Sequence, residues 1–135
     1  RNPWLINGAV YTADEIGGSD DEWILSAYLY DRNTSIGSSG RTYHPDATMQ
    51  RGEWYQIDRY VNVSENVFRQ WQDGELVIDL DGSELDFPDT EPYNKVYSIR
   101  NLFYAGGGWG APDGSGHNFA YIDDIQVFDA EQSPQ

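Results

Sequence analysis

The amino-acid sequence predicts an all-β fold built from antiparallel strands. Polar and apolar residues alternate with period two along several short runs, and no segment has the apolar spacing of an amphipathic helix. Turn signals containing glycine and proline separate these runs. Short strands without intervening helices are typical of a sandwich or a barrel. At 135 residues the chain has the length of a single domain, which we expect to span 1–135.

Five runs are predicted as strands because β-branched and aromatic residues alternate with polar ones along them. They are 22–30, 54–63, 75–81, 96–104 and 119–128. In the first run, Tyr28 and Tyr30 share one face, since side chains two residues apart on a strand point the same way. In the third run, Leu76, Ile78 and Leu80 are predicted to face inward.

Two Asp-Gly pairs, Asp73-Gly74 and Asp81-Gly82, lie at the ends of predicted strands. Asp-Gly is preferred in two-residue hairpin turns whose central residues both take positive φ. We therefore predict a hairpin turn at each pair. The segment 41–46, Arg-Thr-Tyr-His-Pro-Asp, is predicted as a loop that follows the first strand.

Charge and cysteine content exclude several classes of function. The chain has 23 acidic against 8 basic residues, a formal net charge of -15, and no cysteine. A nucleic-acid partner is excluded because phosphates require a basic surface. A membrane span is not expected, since no apolar run is long enough. Such acidity suits a secreted, extracellular protein in a saline, marine setting, although ordinary solubility explains it nearly as well.

The tyrosine pair is the first candidate for chemistry. A phenol has a reference pKa of about 10, so Tyr28 or Tyr30 would need a nearby cation to act as an acid or base at neutral pH. Arg32 and Arg41 follow in the sequence and could supply that charge. The alternative is that both tyrosines are amphipathic strand residues whose hydroxyls contact water.

The segment 41–46 is the second candidate. The planar guanidinium of Arg41 suits a sugar carboxylate, with Tyr43 beside it. His44 could neutralise charge or transfer a proton near neutral pH. The alternative is a plain loop in which Asp46 caps a turn and His44 is merely exposed.

The glycine-rich segment 106–118 is the third candidate. Trp109 could stack on the apolar face of a sugar, with His117 nearby in the sequence, or it could close one end of the domain. Asp113, Asp123 and Asp124 offer oxygen ligands for calcium, but none of them belongs to an EF-hand loop. With two histidines and no cysteine, zinc is not expected, and no cofactor is required.

The order of these motifs resembles that of the jelly-roll polysaccharide lyases that cleave alginate or glucuronan. The matching motifs are Tyr28-x-Tyr30, Gly52-Glu53-Trp54 opening a long strand, the two Asp-Gly pairs, the glycine-rich loop with Trp109, and Tyr121-Ile122-Asp123-Asp124-Ile125. The resemblance runs from about residue 22 to residue 128 and corresponds to the C-terminal half of that fold. It implies an antiparallel, concanavalin-like sandwich.

The resemblance further implies β-elimination on an acidic, uronic-acid-containing glycan, with alginate as the first choice. Tyr28 or Tyr30 would be the acid/base, and His44 would join them in catalysis by holding the carboxylate or tuning the phenol. The implied substrate-binding residues are Arg1, Arg32, Arg41, Tyr43, Trp109 and His117. Arg1 would be the end of the family's arginine-bearing strand.

This chain departs from the family in having no segment for the lysine and the Ser-x-Arg element of the earlier strands. We therefore expect N-terminal strands to be missing, so that the chain is the C-terminal part of a larger lyase domain or is completed by a second chain. The alternative to a lyase is a non-catalytic carbohydrate-binding module in which Trp54, Tyr60 and Trp109 form a stacking platform. A third alternative is an adhesion domain of the laminin-G kind that binds calcium.

Overall fold

The computed structural model describes residues 5–12, 22–30, 41–50, 52–86 and 122–128. The regular elements in these ranges are all β-strands: β1 Leu5–Thr12, β2 Glu22–Tyr30, β3 Arg41–Tyr43, β4 Met49–Gln50, β5 Ile57–Asn62, β6 Val67–Gln72 and β7 Glu75–Leu80. The chain divides into two units, Arg1–Val96 and Tyr97–Gln135, and all seven strands belong to the first. The single domain over 1–135 stays a prediction.

The strands form two antiparallel sheets. In sheet A, β2 pairs with β1 on one side and with β3 and β4 on the other. In sheet B, β5, β6 and β7 follow one another as a meander. Two antiparallel sheets without a helix in the described residues confirm the all-β prediction and are compatible with a β-sandwich.

The two sheets of the first unit pack face to face around a shared apolar core. The buried core residues are Ala27, Leu29, Val63, Phe68, Ile78, Leu80 and Leu85. Polar side chains also cross the interface: Gln70 Nε2 donates to the backbone oxygen of Leu25 at 2.8 Å, and Gln72 Nε2 donates to that of Thr48 at 2.9 Å. Sheet B is therefore bound to sheet A by both apolar contacts and hydrogen bonds.

The turn between β6 and β7 confirms the first Asp-Gly prediction. Asp73 and Gly74 have φ values of 50° and 82°, both in the left-handed region that this turn requires. The second pair differs from the predicted hairpin turn. The backbone oxygen of Asp81 accepts from the N–H groups of Glu84 and Leu85, as in one turn of a helix.

Two further predictions were wrong. Leu76 was expected to face inward but is 44% exposed, because the β6–β7 register shifts at Gln70/Trp71 and Leu76 lies beside the turn. The strand expected over 119–128 is absent from its described part, 122–128. Its apolar side chains are exposed: Ile122, Ile125, Val127 and Phe128.

The strand 22–30 is confirmed with its predicted bounds, while 54–63 and 75–81 form shorter strands. The predicted strand 96–104 lies outside the described residues. The loop expected at 41–46 was wrong for its first three residues, which form β3. Within the described ranges there is no helix with the length and hydrophobicity needed to cross a membrane.

Candidate functional site

The central strand of sheet A presents different residues on its two faces. Ala27 and Leu29 belong to the core between the sheets, so Ser26 and Tyr28 lie on the opposite face. Ser26 is completely buried there, whereas Tyr28 is partly exposed. We call the surface formed by Ser26, Tyr28 and His44 the outer face of sheet A.

His44 joins this face through a hydrogen bond with β2. Ser26 Oγ and His44 Nδ1 lie 2.7 Å apart. In the β2–β3 register Ala27 pairs with Tyr43, so Ser26 and His44 occupy the next opposed positions. The bond at Nδ1 fixes the orientation of the imidazole.

Tyr28 and His44 are therefore neighbours on one face. Tyr28 pairs with Thr42, which lies two residues before His44. The Cα atoms of such diagonal neighbours on antiparallel strands are separated by roughly 7–8 Å. A phenol and an oriented imidazole at this spacing could contact the same sugar residue. Tyr30 lies two residues further along β2 and its backbone pairs with Leu5, but its side chain is outside the described part.

Arg41 and Tyr43 lie on the other face of sheet A. They pair with Leu29 and Ala27, which face the core. Tyr43 packs against the core, and the guanidinium carbon of Arg41 lies 5.7 Å from the centre of the Tyr43 ring. Arg41 Nη2 donates to the backbone oxygen of Glu84 at 2.7 Å. The structure thus separates Arg41 and Tyr43 from the phenol of Tyr28 and the imidazole of His44.

The separation follows from the secondary structure of 41–43. In a flexible loop, Arg41, Tyr43 and His44 could converge on one ligand. In a strand, successive side chains alternate between faces, so Arg41 and Tyr43 share the core side. His44 follows the strand and is held on the other face by its bond to Ser26.

The other predicted site residues can be placed only in part. Arg1, Arg32, Trp109, Asp113 and His117 lie outside the described residues. Asp123 and Asp124 are exposed, and Asp123 Oδ1 accepts from the backbone N–H of Asp124 at 2.9 Å. In the described part of the chain, no three histidine or acidic side chains converge to form a metal site.

The structure adds one residue that sequence reasoning did not select. Arg59 Nε donates to Gln70 Oε1 at 2.9 Å, and Gln70 is completely buried between the sheets. Desolvation lowers the pKa of Arg59 to about 10, which still leaves it charged at neutral pH. The residue as a whole remains exposed, so this loss of hydration is partial. The sequence signal that could have identified Arg59 is its alternation with Ile57 and Val61, which places a charged residue on an apolar face of the strand.

The surface of sheet B away from sheet A bears on the stacking-platform alternative. Tyr60 is partly exposed, and its hydroxyl accepts from Asn62 Nδ2 at 3.2 Å. Arg69, opposite Tyr60, donates from Nε to Asp79 Oδ1 at 2.8 Å, and this contact raises the pKa of Arg69. Trp54, just before β5, is 67% exposed.

Comparison of the chain with protein-family models, with curated proteins and with solved structures found no match in any of the three.

Proposed function

We propose that this chain is a secreted polysaccharide lyase domain that cleaves an acidic, uronic-acid-containing glycan, with alginate as the first choice. The observation that supports this best is the outer face of sheet A. There Tyr28 lies beside His44, and Ser26 holds the imidazole at Nδ1. The finer assignment to a jelly roll of the concanavalin type belongs to the same proposal.

The reaction needs three functions near one sugar residue. A cation or hydrogen-bond donor must stabilise the carboxylate at C5, a base must take the C5 proton, and an acid must protonate the C4 oxygen as the C4–O bond breaks. The electrons of the C5–H bond form the C4–C5 double bond. In our proposal the deprotonated oxygen of Tyr28, or that of Tyr30, takes the C5 proton and then gives it to the C4 oxygen, and His44 holds the carboxylate or tunes the phenol.

The overall charge sets a condition on this activity. A net charge of -15 repels a polyanionic glycan at long range. Salt screens exposed charges beyond a Debye length of about 10 Å at 0.1 M. We therefore expect cleavage to become faster between low and physiological salt, as a secreted enzyme in a saline setting requires.

The test is the ultraviolet absorbance of the unsaturated sugar that β-elimination produces. The chain is incubated with alginate, glucuronan and ulvan, beside Tyr28→Phe, Tyr30→Phe and His44→Ala variants. Loss of a general acid/base lowers turnover by roughly 10²–10⁴-fold. Tyr60→Phe is the matched control, because that phenol lies on sheet B, and it should keep full activity. Full activity in both strand β2 variants would refute the assignment.

The alternative is a non-catalytic carbohydrate-binding module, and the exposure of Trp54 favours it. A flat absorbance signal with retained glycan binding, lost in Trp54→Ala, would support this alternative.

The proposed elimination requires no cofactor, and calcium is tested by repeating both assays with and without a chelator. The calcium-binding adhesion domain predicts that the chelator abolishes binding.

A further inference from the structure

Arg59 occupies an unusual place in the first unit. It lies opposite Gln70 in the β5–β6 register, on the face of sheet B that packs against sheet A. The face follows from alternation, since Gln70 is two residues from Phe68, which is in the core. Because β5 is an end strand of sheet B in the described part, Arg59 lies at the border of the interface between the sheets.

The guanidinium is held in place by a chain of two hydrogen bonds. Gln70 Nε2 donates to the backbone oxygen of Leu25 at 2.8 Å, so the amide oxygen of Gln70 is directed towards Arg59. That oxygen accepts from Arg59 Nε at 2.9 Å. Gln70 is completely buried and belongs to the central strand of its sheet. The anchor of Arg59 is therefore rigid, and the edge of the guanidinium formed by the two Nη nitrogens takes no part in this bond.

Arg59 also differs from the two other described arginines. Arg69 pairs with the carboxylate of Asp79, and Arg41 donates to the backbone oxygen of Glu84. Among the described residues, no carboxylate lies within ion-pair distance of Arg59, although the chain contains 23 acidic residues. Protein crowds the guanidinium and lowers its pKa by desolvation. A cation that loses hydration without gaining a counter-ion is unfavourable, and a carboxylate from outside would compensate it.

We propose that Arg59 binds the carboxylate of an acidic sugar through its two Nη nitrogens. The identification of the sugar as a uronate rests on the proposed function. The exposed residue is accessible to a ligand, and the planar fork suits two parallel hydrogen bonds to a carboxylate. Arg59 belongs to sheet B, whereas Tyr28 and His44 lie on sheet A, so the site contributes affinity and does not transfer a proton.

The first experiment uses glucuronate as a small probe of the intact chain. The Nε–H resonance of Arg59, assigned by its loss in Arg59→Lys, is followed by NMR during titration. We expect it to shift with glucuronate and to stay unchanged with glucose, which lacks the carboxylate. No shift with glucuronate, or an equal shift with sulfate at the same concentration, would overturn a uronate site.

The second experiment measures affinity for alginate oligosaccharides and, where cleavage is seen, KM and kcat. Loss of a charge-assisted bidentate contact in Arg59→Gln should weaken binding roughly tenfold to a hundredfold, with kcat unchanged. Arg59→Lys keeps the positive charge but lacks the planar guanidinium, so its affinity should lie between those of the wild type and Arg59→Gln. Arg69→Gln is the matched control, because the guanidinium of Arg69 is already paired with Asp79. Equal affinity in wild type and Arg59→Gln would overturn the proposal.

The two experiments separate this proposal from the proposed function. A shift of the Arg59 resonance with glucuronate, without any cleavage of the polymers, would support the carboxylate site and refute the lyase activity. Cleavage without a shift of that resonance would support the lyase activity and refute the carboxylate site at Arg59. Circular dichroism identifies a variant that fails to fold. In that case the NMR titration of the wild-type chain tests the site by itself.

Discussion

The central strands of the two sheets, β2 and β6, differ in how they are buried. Along β6, Phe68, Gln70 and Gln72 are buried, and the residues between them are partly exposed. Along β2, neighbouring residues are buried on both faces: Ala27 on the core side and Ser26 on the other are both completely inaccessible. Sheet B thus has one protected face, whereas the outer face of sheet A is covered at Ser26 and accessible at His44.

This difference distinguishes a structural polar residue from a candidate functional one. Arg69 on β6 reaches water and a neighbouring carboxylate, which is ordinary for the outer face of a sheet. Ser26 on β2 is polar and inaccessible, and its hydrogen bond orients an exposed imidazole. Polar groups held in this way are more informative about function than polar groups that simply face solvent.

The largest effect is expected from truncation of the core on β6. Phe68 is completely buried and contacts the cluster that includes Leu29 of the opposite sheet. Phe68→Ala should lower the free energy of unfolding by about 3–5 kcal/mol, measured by urea denaturation. A loss below about 1 kcal/mol would mean that the two sheets do not share this core.

A medium effect is expected from enlarging Ser26 on β2. Ser26→Val adds volume to a completely buried position and removes the bond to His44, so it should cost about 1–3 kcal/mol. Ser26→Ala removes only the hydrogen bond and should cost about 1 kcal/mol. The control is Arg69→Val on β6, which should leave the denaturation midpoint unchanged. If Ser26→Val were as harmless as the control, the outer face of sheet A would be open at Ser26.

The smallest effect concerns the exposed segment after β7. Hydrogen bonds from the Ser83 side chain and backbone hold the pKa of Asp81 below its usual value of 3.8. This stabilisation is present above that value and is lost as the pH falls through the lower, folded-state pKa. Thermal melting of Asp81→Asn from neutral pH to about pH 2 should show a weaker acid dependence than wild type. Asp46→Asn, an exposed aspartate elsewhere, is the control, and identical curves for all three proteins would contradict the assignment.

Local signals in the sequence predicted the two outer strands of sheet B and the turn before β7, whereas β6 was not among the five predicted strands. Alternation and the Asp73-Gly74 pair lie within one short stretch, so β6 and β7 pair through a two-residue turn whose φ values the sequence implies. The position of Leu76 was wrong because the register shift depends on how the two strands pair, which alternation along one strand does not reveal.

Sheet A was predicted only through β2. Its neighbours β1 and β3 are separated from it by segments without local pairing signals, and β3 has only three residues. The structure brings Tyr28 and His44 to one face of sheet A and places Arg41 on the other. Arg41 was grouped with them because a strand of three residues resembles a loop in sequence. Arg59 was overlooked because its significance depends on Gln70, which lies on the next strand and meets Arg59 only through strand pairing.

The glutamines that cross between the sheets have a consequence for how the two sheets are aligned. Apolar contacts are non-directional, so a purely hydrophobic interface tolerates small sliding movements. Gln70 and Gln72 each bind one particular backbone oxygen, at Leu25 and Thr48. Sliding by one residue would take the buried side-chain amides of Gln70 and Gln72 away from these acceptors, and a buried unpaired donor costs more than its hydrogen bond contributes to stability. These two side chains therefore favour a single alignment of the two sheets. That alignment also determines the position of Arg59 relative to sheet A.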